Sequence, residues 1–238
     1  MVALCDLDVL VYRSGWSAKD GDFIQNVECL EGFLHSIYDK VNATDHRLIL
    51  SGETNFRKEI DPNYKSNRKE SARPQYYKEL REYCLNELGA DLTDGVEADD
   101  MLGTLQGEGT IICSNDKDFL QIPGYHLRFK QKWEENEIIY IDEDTAWFNF
   151  FKQALVGDKI DNVEGVLNPA KAHHKKPPCF SNETATELLK DLSKSEMLEA
   201  VQEMYKIQYG DRWFSFFDKN CRLLFIQRSN AKNYYELI

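Results

Sequence analysis

Short unbroken apolar runs alternate along this chain with longer stretches in which apolar residues return every three or four positions. Val2-Ala3-Leu4-Cys5, Leu48-Ile49-Leu50 and Thr110-Ile111-Ile112-Cys113 are too short and too uniformly apolar for amphipathic helices, and they read as buried strands. Ile24, Val27, Leu30, Leu34, Ile37 and Val41 recur at helical spacing. Residues 76–88 predict a second helix with Gly89 as its C-cap, and residues 95–105 a third that opens on acids. Residues 125–129 and 137–141 look like paired strands, and 145–156 is an aromatic-rich helix that Gly157 ends. Strands alternating with helices predict an α/β domain built on a mostly parallel sheet flanked by helices. After Gly157 the strand signals cease, and residues 183–190, 195–208 and 211–227 read as helices. The expected organisation is an α/β body over residues 1–157, which includes a polar stretch at 55–75, and a helical C-terminal lobe over 158–238, together one compact unit. The Pro/Lys/His-rich stretch 168–182 is the best candidate for a loop.

Composition narrows the class. The 238 residues include 42% hydrophobic and 12% aromatic residues, enough for a core, which excludes a disordered chain. No stretch approaches the roughly 18 apolar residues of a membrane span, and acids inside the first apolar run argue against a signal peptide. The six cysteines form no Cys-x-x-Cys pair, so the expectation is reduced core thiols, a cytoplasmic location and no structural zinc. Net charge is −12, which alone argues against nucleic acid. Its distribution argues otherwise. Residues 57–73 carry six bases against three acids, and residues 171–176 carry Lys171, Lys175 and Lys176 with two histidines and no acid.

The acids themselves fall at strand ends and helix starts. Asp6 ends the first strand, and Asp116 and Asp118 come just after the third. Glu97, Asp99 and Asp100 open a helix, and Asp158 and Asp161 come just after the end of another. In open α/β sheets, sites form beyond the carboxyl ends of the strands. Taken singly, each acid is as well explained as a turn residue or helix N-cap. Eight carboxylates at one site would repel unless cations were present. Hard divalent ions with oxygen ligands answer that need, and a pair of them about 4 Å apart suits phosphodiester hydrolysis. On this reading eight of the twelve net negative charges are ligands rather than DNA-repelling surface.

Four segments resemble the 5′-nuclease superfamily, which includes flap endonucleases and 5′-to-3′ exonuclease domains. They are Asn55-Phe56-Arg57-Lys58 continuing through Pro62-Asn63-Tyr64-Lys65-Ser66-Asn67-Arg68; Glu97-Ala98-Asp99-Asp100; Ser114-Asn115-Asp116-Lys117-Asp118-Phe119; and Gly157-Asp158-Lys159-Ile160-Asp161-Asn162. Their order and spacing match over about residues 1–165, and the wording is most like stand-alone phage exonucleases. The resemblance implies a PIN-like fold with a helical arch and a metal-dependent nuclease acting from 5′ ends or flaps of DNA, with RNA–DNA hybrid a further substrate, as a monomer and without a membrane. It implies two Mg²⁺ ions, for which Mn²⁺ can substitute. Asp6, Glu97, Asp99, Asp100 and Asp116 would surround the first, and Asp118, Asp158 and Asp161 the second. Asp116 would lie close to both, and no Ser, Cys or His nucleophile is required. Lys65 and Arg68 would clamp the scissile phosphate, Tyr64 would stack on a base and Arg57 would stand at the arch base. A charge run of this kind is otherwise a solvated loop.

Two departures stand out. The family carries a further Asp after the second strand, where this chain has Ser51-Gly52 and then Glu53. It also carries a second glycine turn after the Asp-Asn pair, where this chain runs Gly165-Val166-Leu167-Asn168-Pro169. Contact with duplex DNA would then fall to Lys171, Lys175 and Lys176, which read equally well as a solvated loop. The alternatives are a PIN-type single-strand RNase, against which Tyr64-Lys65-x-x-Arg68 argues, and a DNA-binding module with impaired catalysis.

Overall fold

The computed structural model describes residues 1–67, 72–129, 135–171 and 178–238. By internal packing the chain divides into an α/β unit (residues 1–55, 72–141 and 226–230) and a helical unit (residues 56–71, 142–225 and 231–238).

The α/β unit is a six-stranded sheet. The strands β1 (Val2–Asp6), β2 (Asp45–Leu50), β3 (Asp91–Leu92), β4 (Thr110–Cys113), β5 (Gly124–Arg128) and β6 (Glu137–Ile141) lie in the order β3-β2-β1-β4-β5-β6. All pairs are parallel except β5–β6. The short apolar runs are therefore strands, as expected, because a parallel sheet buried on both faces needs apolar side chains at successive positions. Alternation sorts them. Ala3, Cys5, Leu48, Leu50, Ile111 and Cys113 pack on one face with Leu7, Leu10, Leu30, Leu34, Leu80 and Cys84. Those partners belong to α1 (Leu7–Ser17), α2 (Phe23–Val41) and α4 (Tyr77–Asn86). Leu4, Ile49 and Ile112 face the other way, against Ala98 and Leu102 of α5 (Ala98–Leu105). The chain runs outward from β1 to β2 and β3, then returns to place β4 on the other side of β1. That reversal is the topological switch point, the place where an open α/β sheet opens a crevice.

Residues 226–230 complete this unit. The Ile226 N–H donates to Gln121 Oε1 at 3.0 Å, the Gln227 N–H to Asp100 Oδ1 at 3.1 Å and Arg228 Nη2 to the Gln121 carbonyl at 2.6 Å. Gly103 permits the approach, since a Cβ there would lie 2.3 Å from the Gln227 carbonyl oxygen.

The helical unit holds α3 (Arg57–Ile60), α6 (Glu143–Val156), α7 (Asn182–Leu189), α8 (Lys194–Tyr209) and α9 (Trp213–Leu224). Trp147, Phe150, Phe151, Tyr205, Phe217, Phe225 and Tyr234 form its aromatic core. This differs from the boundary expected at residue 157. The buried face of α6 is the centre of that aromatic core, so α6 packs with the helices after it. Residues 56–71 group with this unit as well, whereas the polar pattern places the whole stretch 55–75 in the α/β body.

Among the described residues no helix is long and apolar enough to cross a membrane. All six cysteines are free thiols; Cys5, Cys84, Cys113 and Cys221 are buried, while Cys29 and Cys179 are half-buried.

Candidate functional site

At the carboxyl edge of the sheet, the residues just past β1, β2 and β4 converge with the start of α5. Asp6 ends β1 and caps α1, accepting the Val9 N–H at 3.2 Å through Oδ1. Its Oδ2 accepts the Ser114 hydroxyl at 2.7 Å. Ser114 comes directly after β4 and also receives the Asp116 N–H at 3.1 Å. Asp116 Oδ1 in turn takes the Asp118 N–H at 2.9 Å and so caps a 3₁₀ turn over Lys117–Gln121. Arg128, at the end of β5, donates to the Asp116 carbonyl at 2.6 Å and fixes the loop from the other side. Asp100 is buried, with Oδ2 on the Glu97 N–H at 3.1 Å and Oδ1 on the Gln227 N–H. Glu97, Asp99, Asp116 and Asp118 are half-buried.

Asp6 is the strained carboxylate of this group. It is 2% exposed. Burial, with the nearby charge of Asp8 next in size, pushes its pKa up to about 7; Asp116 adds to the rise, while the Ser114 hydroxyl and the Val9 N–H oppose it. The native state thus holds this proton between pH 3.8 and about 7, where the unfolded chain has released it. Stability must fall as pH rises through that window. In excess chelator, the melting temperature of the wild type should decline over this range, and Asp6→Asn should remove most of the decline. Thermal melts at a series of pH values check this; an equally steep decline in Asp6→Asn would assign it to another group.

In the helical unit, Asp158 and Asp161 share one tight turn. The Asp158 and Val163 backbones exchange two hydrogen bonds, at 2.9 and 2.7 Å. Asp158 Oδ1 accepts the N–H groups of Ile160 at 2.8 Å and Asp161 at 3.3 Å. Gly157, at φ +73°, and Gly165 allow the two arms to touch: a Cβ on Gly157 would lie 2.4 Å from the Gly165 nitrogen. Residues 63–67 lie along this turn. The Lys65 N–H donates to the Asp161 carbonyl at 3.0 Å, Asn162 Nδ2 to the Asn63 carbonyl at 3.0 Å and Asn67 Nδ2 to the Lys159 carbonyl at 2.8 Å. The Tyr64 hydroxyl donates to Asp161 Oδ2 at 2.9 Å, and the Lys65 ammonium stands 3.5 Å from the same oxygen.

Two expectations are corrected here. Tyr64 is 4% exposed, with its ring in the aromatic core, so that ring has no free face for a base and its hydroxyl orients Asp161 instead. Arg57 is 2% exposed. Its guanidinium donates through Nε to the Leu223 carbonyl at 2.9 Å and through Nη2 to the Phe225 carbonyl at 2.7 Å. It therefore closes the C-terminal end of α9 rather than meeting DNA. Arg68, Lys175 and Lys176 lie outside the described residues, as does the side chain of Lys171.

Sequence reasoning missed Asp8 and Arg81. Arg81 Nη1 donates to Asp8 Oδ1 at 2.5 Å, and Arg81 Nη2 to the Ser51 carbonyl at 2.5 Å. The Asp-x-Asp spacing at residues 6 and 8 was the available signal. The arginine lies 73 residues further on and carried none. Glu53, the other acid beside Ser51, is exposed.

Among the described residues, no three His, Cys, Asp or Glu side chains form a group that could hold a metal ion. The carboxylates turn to the backbone amides and hydroxyls just named. The donor chemistry is nevertheless uniform: every candidate acid offers oxygen alone, the preference of hard divalent cations. A cation beside Asp6 would offset the charges of Asp8 and Asp116, which add to the rise that burial causes.

Comparisons with known proteins agree with this architecture. The chain is 31% identical over 135 residues to an exodeoxyribonuclease of Enterobacteria phage T3, covering 50% of this chain and 42% of that protein. It is 27% identical over 191 residues to a 5′-3′ exonuclease of Buchnera aphidicola, covering 69% of this chain and 65% of that protein. The chain thus spans less than two thirds of the length of these relatives. A bacteriophage T5 protein co-crystallised with metal ions superposes with a TM-score of 0.59 at 15% identity, over 92% of this chain and 88% of that one. A T5 flap endonuclease in a pseudo-enzyme–product complex with DNA and metal ions gives 0.52 at 15% identity, over 94% and 98%. At that identity the likeness is one of fold. A family model for the N-terminal, resolvase-like domain of 5′-3′ exonucleases matches residues 2–149, well over half of the chain, and the chain belongs to that family.

Proposed function

We propose that this protein is a divalent-metal-dependent 5′ nuclease that hydrolyses DNA phosphodiester bonds from 5′ ends and at flaps. The observation that carries this reading is the family match over residues 2–149, in a chain that carries Asp6 and Asp116 at the ends of β1 and β4, the two strands that flank the switch point of the sheet. The donor set is Asp6, Glu97, Asp99, Asp100, Asp116 and Asp118 on the α/β unit, with Asp158 and Asp161 on the helical unit. Mg²⁺, or Mn²⁺ in its place, is the hard cation such oxygens prefer. When bound, two such ions supply an activated water and stabilise the leaving oxygen.

The protein's own residues have distinct tasks. Ser114 orients Asp6, and Arg128 holds the loop that presents Asp116. Tyr64 orients Asp161. Lys65 is the described cation we assign to the scissile phosphate. Its side chain is 16% exposed and pairs with Asp161, and a phosphate oxygen could replace that carboxylate as its partner. Arg68 is assigned the same phosphate from its motif alone. Lys171, Lys175 and Lys176 are assigned to the duplex backbone on charge alone.

Digestion of 5′-labelled and 3′-labelled duplexes, with and without a 5′ flap, tests the reading. In Mg²⁺ the 5′ label should be released first, as mononucleotides or short flaps, and excess chelator should abolish release. Release of the 3′ label first, or unchanged activity in chelator, would overturn it. An RNA–DNA hybrid and a single-stranded RNA in the same assay separate primer removal from RNase activity.

A further inference from the structure

We propose that Ser51, together with the Asp8–Arg81 pair that fixes it, is a positioning element for the acidic start of α5. The proposal rests on the metal-dependent reading above and concerns only residues of the α/β unit.

Ser51 stands directly after β2, and three of its polar groups are committed. Its N–H donates to Asp8 Oδ2 at 3.0 Å, its carbonyl accepts Arg81 Nη2 at 2.5 Å and its hydroxyl accepts the Ala98 N–H at 2.9 Å. The same Arg81 fork donates to Asp8 Oδ1, so one guanidinium and one carboxylate grip both backbone groups of one residue. Such a grip needs the planar fork of arginine. Asp8 itself sits in the first turn of α1, two residues past Asp6. The corner thereby links β2, α1 and α4 to the N-terminus of α5.

The third bond matters for function. Ala98 is the first helical residue of α5, and its N–H is one of the donors a helix leaves without an internal partner. Ser51 satisfies it from a distance of 47 residues, as an N-cap supplied in trans. The residues on either side of that N–H are Glu97 and Asp99, both in the proposed donor set. A carboxylate at position 51 could accept the same bond, but it would add charge beside Asp6 and Asp8. The hydroxyl caps the helix without that charge, and Arg81 offsets Asp8. Residues 97–100, braced among themselves by the Asp100 bond to the Glu97 N–H, are thereby also held from outside their own helix, which is how ligands reach a fixed geometry before the ion arrives.

Direct titration with Mn²⁺, monitored by electron paramagnetic resonance on the whole protein without DNA, tests this apart from turnover. Asp116→Asn should bind Mn²⁺ more weakly than wild type, which reports on the metal reading itself. Ser51→Ala removes one oxygen at a half-buried position and should weaken Mn²⁺ binding by about tenfold, the scale of outer-shell partners. Ser51→Thr, which keeps the hydroxyl, should recover most of that loss. Arg81→Lys, which keeps the charge and loses the fork, should weaken binding like Ser51→Ala. Wild type that binds no Mn²⁺, or Asp116→Asn that binds as well as wild type, overturns the metal reading and this inference with it. A wild type that binds, an impaired Asp116→Asn, and Ser51→Ala and Arg81→Lys indistinguishable from wild type overturn the inference alone. So does a Ser51→Thr as impaired as Ser51→Ala.

Discussion

Asp116→Asn should leave the fold intact and lower the rate of 5′-end cleavage in Mg²⁺ by at least about a thousandfold. The two halves of this expectation have separate causes. Structurally, the side chain caps the 3₁₀ turn at Lys117–Gln121 through one oxygen, and asparagine caps as well as aspartate does. The loop is also held through the Asp116 carbonyl by Arg128, which the substitution leaves alone. Electrostatically, Asp116 adds to the repulsion on buried Asp6, so the amide relieves the metal-free protein. The loss is that of the anionic oxygen a divalent ion requires. Turnover at saturating substrate should collapse while melting in chelator is unchanged or slightly raised. Wild-type turnover by this variant would remove Asp116 from the reaction.

Arg57→Ala should cost about 3 kcal/mol of stability, or roughly 6–12 °C in melting temperature. The guanidinium bridges the carbonyls of Leu223 and Phe225 in a buried position, and truncation leaves both oxygens without that donor. Arg57→Lys should recover only part of the loss, because an ammonium does not reproduce the fork. DNA affinity of the folded fraction should be near wild type. A variant that melts normally but binds DNA many-fold more weakly would return Arg57 to the surface role that its motif implied.

These two residues show where a sequence is legible and where it is not. The place of Asp116 just past a strand was legible because strand chemistry is local: the three apolar residues that end β4 lead into Ser-Asn-Asp, and a parallel sheet presents the residues just past its strand ends. Strands β1, β2, β4, β5 and β6 and helices α2 and α4–α8 were readable for the same reason. Arg57 was not legible, because a base in a charged, polar stretch reads as solvated, and its carbonyl partners lie over 160 residues away. Tyr64 failed likewise, its ring being claimed by a core assembled from distant helices.

Other misses have local explanations. Helix α1 went unread because it begins at the residue after β1, with Asp6 serving both, so no polar break separates the two apolar patterns. The two residues of β3 are too few for any periodicity. The helix expected over 211–227 stops at Leu224, and a 3₁₀ turn takes its first residues. The apolar run Leu223-Leu224-Phe225-Ile226 conceals that end, because its last residue is buried in a different core from the first three. In the site, the acids could be chosen by motif, but the Ser51–Asp8–Arg81 corner joins positions that only the fold makes neighbours.

The five residues from Ile226 to Asn230 have a consequence for how the protein is made. They hydrogen-bond to Gln121 and to Asp100, and Asp100 in turn caps the acidic start of α5. The strands β1 through β6 are all made by residue 141, yet the α/β unit lacks its last segment until residue 230 has followed. The helical unit is interleaved in the same way, opening at residue 56 and closing at 238. Neither unit is complete before most of the other has been made. The acidic helix start becomes fully anchored only after the whole of α6 through α9 has been synthesised.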